Sequence, residues 1–139
     1  MKPKVLVVDD ETDYVQLTEY NLSRQGFEVH KAFNGVEALH QARRLLPDVI
    51  LLDLMLPDID GASVCEILRS QPSTAHVPVI VVSALDGMVM RGRSKEVGVA
   101  SYFKKPVDLK VLGDRMRAVC EEQRELLKSR MRADSAEEH

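Results

Sequence analysis

Three short runs, Val5 to Val8, Val49 to Leu52 and Val79 to Val82, are unbroken Val, Ile and Leu. Runs of that kind suit strands covered on both faces, so they predict the central strands of a parallel sheet. Phe27 to Ala32 alternates instead, with Phe27 and Val29 interleaved by Glu28 and His30, and Tyr102-Phe103 is a brief fifth run among polar neighbours. Both predict edge strands. Between the runs, buried-type positions recur three and four apart: Val15, Thr18 and Leu22, then Leu39, Ala42 and Leu46, then Val64, Ile67 and Leu68. Each set predicts a helix with one buried stripe. Gly26, Asn34-Gly35, Pro47-Asp48, Gly61 and Pro78 fall where turns are needed. Residues 86–97 predict a fourth helix with a poor apolar stripe and glycines at Gly87 and Gly92. That helix is expected to be among the least stable and able to move.

Strand and helix therefore alternate five times. The fold class expected is α/β, a doubly wound five-stranded parallel sheet with five helices, the last of them extended, because each right-handed crossover needs a helix to span it. In the flavodoxin-like order 2-1-3-4-5, ligands gather beside the carboxyl ends of the first and third strands.

Composition narrows the function without naming it. The chain has 139 residues, 45% hydrophobic and 4% aromatic, with 19 Lys+Arg against 22 Asp+Glu and a formal charge of −3. One core of that size needs neither disulfides nor a structural metal. Cys65 and Cys120 lack a CxxC or His partner, so a reduced, cytoplasmic setting is expected. The apolar runs are far shorter than the ~20 residues that span a bilayer, and the start of the chain has no apolar signal core. Neither membrane nor direct nucleic-acid binding is expected, the latter because a basic surplus is missing.

The strand ends carry the chemistry. Asp9-Asp10 follow the first strand and Asp53 the third, so three carboxylates converge on one sheet edge. Crowded carboxylates raise one another's pKa unless a cation neutralises them, and Mg²⁺, which prefers oxygen and keeps several waters, fits that need. Ser83 follows the fourth strand and Lys105 the fifth, a hydroxyl and a cation suited to phosphoryl oxygens. Phosphoryl transfer asks for a placed nucleophile and charge balance, which assigns Asp53 as nucleophile, Asp9 and Asp10 as metal seat, and Ser83 and Lys105 as oxygen ligands.

These residues sit in four segments, VLVVDD, VILLDLMLPDIDG, VPVIVVSA and YFKKP, which resemble the successive signatures of bacterial two-component response-regulator receiver domains, of the kind found in chemotaxis regulators. The likeness covers about residues 4 to 120. It implies that Asp53 is the phosphoacceptor, that Asp10, Asp53 and the Met55 backbone carbonyl bind Mg²⁺, and that Asp9 helps to hold the ion's waters. It implies further that Ser83 and Lys105 ligate the phosphoryl oxygens, that the Lys105-Pro106 peptide is cis, and that Ser83 and Tyr102 form the switch. The implied partners are a sensor histidine kinase or phosphotransfer protein, and an output domain or protein reading the face of the fourth helix, fifth strand and last helix.

Blander readings stand beside these. Asp9 and Asp10 also suit the positive end of the first helix, Ser83 suits a turn, Tyr102 and Cys65 suit the core, and Lys104 suits solvent. Other functions are weaker: an aspartyl phosphatase would want a second acid where Met55 stands, and a flavodoxin-like cofactor binder would want a Gly/Ser/Thr-rich loop after Val8. Apolar Met55 and Leu85 suggest a long-lived phosphoryl group. A receiver of residues 1–120 leaves 121–139 as a helical extension with a frayed polar tail. Leu112, Met116, Val119, Gln123, Leu126 and Arg130 form a short heptad seam that weakens along its length. It suits either a solvated helix or a homodimerising connector to an output.

Overall fold

A computed structural model describes residues 2–85 and 98–137. The strands are β1 (Lys4–Val8), β2 (Glu28–Ala32), β3 (Val49–Leu52), β4 (Val79–Ser83) and β5 (Ser101–Lys104). Among the described residues the helices are α1 (Thr12–Arg24), α2 (Gly35–Leu45), α3 (Gly61–Ser70) and α4 (Leu109–Glu137). The helix expected over 86–97 lies outside the described residues. All strand pairs are parallel, in the order β2-β1-β3-β4-β5, which is the expected winding.

The unbroken apolar runs are explained by two cores. Leu6, Val8, Ile50, Leu52, Val79 and Val81 face α2 and α3, where Ala38, Ala42, Val64 and Leu68 meet them. Val5, Val7, Val49, Leu51, Ile80 and Val82 face Val15 and Leu22 of α1 and Leu112, Met116 and Val119 of α4. Successive strand residues thus alternate between the two helical layers, as the period of two demands. Cys65 and Cys120 are free and buried in these layers, and burial pushes their thiols up to about 12 and about 11. Thiols held protonated in that way pack as small apolar groups.

One expectation changes at a helix end. Leu46 is not part of the α2 stripe: it caps the helix in the left-handed conformation with φ 47° and is exposed, while Ala38 takes the buried place. Periodicity alone does not register that the chain must turn back there to enter β3. The tail after Cys120 continues α4 through Glu137. Alanine, arginine and glutamate in that stretch favour helix without any packing. The seam does fade as its composition suggests: Met116 is fully buried, whereas Leu126 and Met131 are more than half exposed. No helix among the described residues is long and apolar enough to cross a membrane.

Candidate functional site

Strand register brings the charged residues together. Val8 pairs with Leu52, so the residues that follow them, Asp9 and Asp53, are neighbours, and the Asp53 amide donates to the Val8 carbonyl at 2.9 Å. On the other side Ser83 pairs with Lys104, and the Lys105 amide donates to the Ser83 carbonyl at 2.8 Å. The Lys105-Pro106 peptide is cis, as the resemblance implies.

Asp53 is 4% exposed, and each of its oxygens has a different neighbour. Oδ1 accepts from the Ser83 hydroxyl at 2.9 Å and from the Met55 amide at 2.9 Å. Oδ2 lies 3.1 Å from Lys105 Nζ. The same ammonium reaches Asp9 Oδ2 at 2.6 Å and Glu11 Oε1 at 3.6 Å, and it sits 4.2 Å above the centre of the Tyr14 ring. Asp9 Oδ1 accepts from the Glu11 amide at 3.0 Å. Asp10 is exposed, yet one oxygen each of Asp9, Asp10 and Asp53 lie within 4.8 Å of one another. Three hard oxygen donors at that spacing fit a divalent ion of the Mg²⁺ class. Tyr102 is half-buried, and its hydroxyl donates to the Leu85 carbonyl at 2.5 Å.

The pattern had singled out neither Tyr14 nor Glu11. Tyr14 reads as an ordinary position in the first turn of α1, and only the approach of Lys105 from the end of β5 places a cation over its ring. Glu11 has no signal either, because its place as the first residue before α1 puts its carboxylate beside Lys105 only once the sheet is assembled.

A family model described as the response regulator receiver domain matches residues 5–117 and takes in every one of these positions. The chain belongs to that family. The response regulator PleD of Caulobacter vibrioides is 42% identical over 119 residues, covering 86% of this chain and 26% of that protein. The alkaline phosphatase synthesis transcriptional regulatory protein PhoP of Bacillus subtilis is 40% identical over 119 residues, covering 86% of this chain and 49% of its own. The chain thus spans between a quarter and half of these curated relatives. Another relative, from Synechocystis, is named as a DNA-binding transcriptional regulator, so the charge argument against nucleic acid bears only on the residues present here. Among solved structures, a CheY-like receiver domain protein from Methanospirillum hungatei superposes with a TM-score of 0.84 at 25% identity, covering 90% of this chain and 98% of that one. The receiver domain of Francisella response regulator 1452 gives 0.81 at 34% identity, with 87% and 98% covered. This chain is therefore a receiver domain of two-component response regulators.

The electrostatics of the receiver site are lopsided. Burial raises the Asp9 carboxyl above its ordinary value, against the opposing pull of its Lys105 hydrogen bond. Burial alone would lower the Lys105 ammonium, but its hydrogen bonds to Asp9 and Asp53 reverse that and raise it. A carboxyl raised on folding binds more protons folded than unfolded, so its contribution to stability is largest below the unfolded value of 3.8 and is lost as pH rises through the folded one. The raised lysine has the opposite window, retaining its contribution through neutral pH and losing it only at strongly alkaline pH. In metal-free protein, wild type should therefore gain melting temperature relative to Asp9→Asn as pH falls from 7 toward 4, whatever offset the lost Lys105 pairing sets at neutral pH. Thermal melts of both proteins across that range check the sign.

Proposed function

We propose that this receiver is a phosphorylation-activated switch in which Asp53 accepts a phosphoryl group from a sensor histidine kinase or phosphotransfer protein in the cytoplasm. The observation that supports it best is the division of labour at Asp53, with one oxygen toward Ser83 and the other toward Lys105. In the transfer step a carboxylate oxygen of Asp53 attacks phosphorus. The bond from phosphorus to the donor's imidazole nitrogen breaks, its electron pair stays with the imidazole, and an acyl phosphate remains on Asp53. Lys105 and Ser83 then leave the carboxylate and donate to phosphoryl oxygens, where their bonds are charge-assisted. Mg²⁺, held by Asp10, Asp53 and the Met55 carbonyl with Asp9 ordering its waters, would balance the charge on those oxygens.

The switch follows from a short relay. The Leu85 amide lies 3.4 Å from the Ser83 hydroxyl, and the Leu85 carbonyl accepts from Tyr102. Moving Ser83 toward a phosphoryl group changes both ends of that residue, and with them the seat of Tyr102 on β5. Differential contacts of this kind, a new hydrogen bond and an ion pair, bias an equilibrium by a few kcal/mol. The output domain or protein would read the change on the face of the helix expected over 86–97, β5 and α4, either within the chain's own protein or through a homodimer.

Incubation with acetyl phosphate, with and without Mg²⁺, followed by peptide mass mapping, tests the reading. The expected product carries one phosphoryl group on the Asp53 peptide and forms only with Mg²⁺. A phosphoryl group on another residue, or none, would overturn it.

Lifetime is a separate expectation. Met55 is half exposed and Leu85 partly so, and neither side chain can orient an attacking water. Met55→Asn with Leu85→Glu should hasten dephosphorylation about tenfold, below the roughly hundredfold that a fully placed general base contributes. Decay of the phosphorylated species after the donor is removed measures it, and an unchanged half-life would clear both residues of the role.

A further inference from the structure

The loop between Asp53 and Gly61 presents the Met55 carbonyl, yet Met55, Pro57, Asp58 and Asp60 are all exposed. Leu54, Leu56 and Ile59 pack against the core, and the residues between them face solvent. Its ends are fixed by hydrogen bonds, from the Asp53 amide to the Val8 carbonyl at 2.9 Å and from the Gly61 amide to the Leu54 carbonyl at 3.1 Å. Midway, Asp58 reaches a different element altogether. Its Oδ1 accepts from the Gly35 amide at 2.7 Å and its Oδ2 from the Val36 amide at 3.0 Å, the first two donors of α2.

A helix begins with four amides that have no partner inside it. In α2 the first intrahelical bond runs from the Ala38 amide to the carbonyl of the N-cap residue Asn34 at 3.0 Å, and of the three amides between them the Asn34 side chain accepts from Glu37 at 2.8 Å. Asp58 closes the remaining two across 22 and 23 residues of chain. Gly35 permits the approach: a Cβ there would lie 2.9 Å from Ile59 Cβ and 3.2 Å from Asp58 Oδ1. The bonds from Val36 and Gly35 hold the Asp58 carboxyl below the usual carboxylate range, so the clamp is charged at neutral pH.

Resting on the receiver reading, we infer that Asp58 is a positioning residue for the metal site, clamping the middle of the loop to α2 so that the Met55 carbonyl is in place before the ion arrives. Asp58 is three positions after Met55, so at most about 10 Å of extended chain lies between carbonyl and clamp. Freedom of so short a tether is lost when the protein folds rather than when the ion binds. Without Asp58 the loop keeps its end bonds and the apolar contacts of Leu56 and Ile59 but loses its hydrogen bonds to α2.

Mg²⁺ titration by calorimetry and amide hydrogen exchange of the metal-free protein test this in Asp58→Ala, Asp58→Asn and Asn34→Ala. Asn34→Ala removes the helix's own side-chain cap and lowers the melting temperature without touching the loop. Asp58→Ala should weaken Mg²⁺ binding about tenfold, the lower end for groups that orient metal ligands, and speed exchange at residues 55–57. Asp58→Asn, which keeps one acceptor, should fall between it and wild type, and Asn34→Ala should match wild type in both readouts. Unchanged Mg²⁺ affinity in Asp58→Ala, or an equal loss in Asn34→Ala, would overturn the inference. A wild type that binds no Mg²⁺ would overturn the proposed phosphoacceptor role, and exchange in the metal-free variants would still show whether Asp58 holds the loop.

Discussion

Asp53→Asn will reduce Mg²⁺-dependent phosphorylation to background while leaving the fold intact. The two halves of that expectation come from different oxygens. The amide oxygen of asparagine can occupy the Oδ1 position and keep the bonds from Ser83 and the Met55 amide, so the local structure survives. The amide nitrogen then faces Lys105 as a donor, but the lysine retains Asp9 at 2.6 Å and Glu11 at 3.6 Å. What disappears is the anionic nucleophile and one carboxylate of the metal seat. Phosphoryl incorporation from acetyl phosphate and Mg²⁺ calorimetry measure the two losses, and circular dichroism the retained fold. Incorporation at the wild-type rate would show that the chemistry lies elsewhere.

Gly61→Ala carries the largest structural penalty. A Cβ at Gly61 would stand 2.6 Å from Leu54 Cα and 2.7 Å from the Asp53 carbonyl oxygen, both backbone atoms on the nucleophile's own strand end. Neither can swing aside. Overpacking of that order costs about 3 kcal/mol, roughly 10 °C in melting temperature for a chain of this size. Relief can come only from moving the Asp53 backbone. Misplacement of a reacting group by an ångström slows a reaction about a hundredfold, so a phosphorylation rate down at least tenfold is expected in the fraction still folded. Gly113→Ala is the contrast, because the obstructing group there is the terminal amide of the Gln25 side chain, which can rotate away at the cost of its hydrogen bond to the Leu109 carbonyl. Equal melting temperatures for the two variants would refute the argument.

The sheet and the site were legible in the sequence for one reason. Parallel strands buried on both faces must be apolar throughout, so Asp9, Asp53 and Ser83 stand out as polar residues immediately after, or at the end of, such runs. Their convergence then follows from strand order alone. Edge strands were legible too, since Val29 alternates with Glu28 and His30 and Tyr102-Phe103 is a brief run among polar neighbours. Asp58 was not, because its partners are backbone amides more than twenty residues away, and an exposed aspartate in a turn has many uses. Leu46 misled for a related reason: apolar spacing fits the stripe up to the residue where the backbone turns left-handed. Tyr14 belongs to α1 by its pattern, and only assembly of β5 brings Lys105 over its ring.

The length of α4 gives the molecule a mechanical property. Its base, at Leu112, Met116 and Val119, rests on Ile80, Val82 and Phe103, in the two strands that end beside Ser83 and Lys105. Beyond Cys120 the rod runs on through 137 with few contacts, about 25 Å at 1.5 Å per residue. A lever of that reach turns a tilt of about 10° at its fulcrum into a sweep of roughly 4 Å at its tip. Sub-ångström adjustments of β4 and β5 thereby gain leverage, and the tip is the place where they are largest.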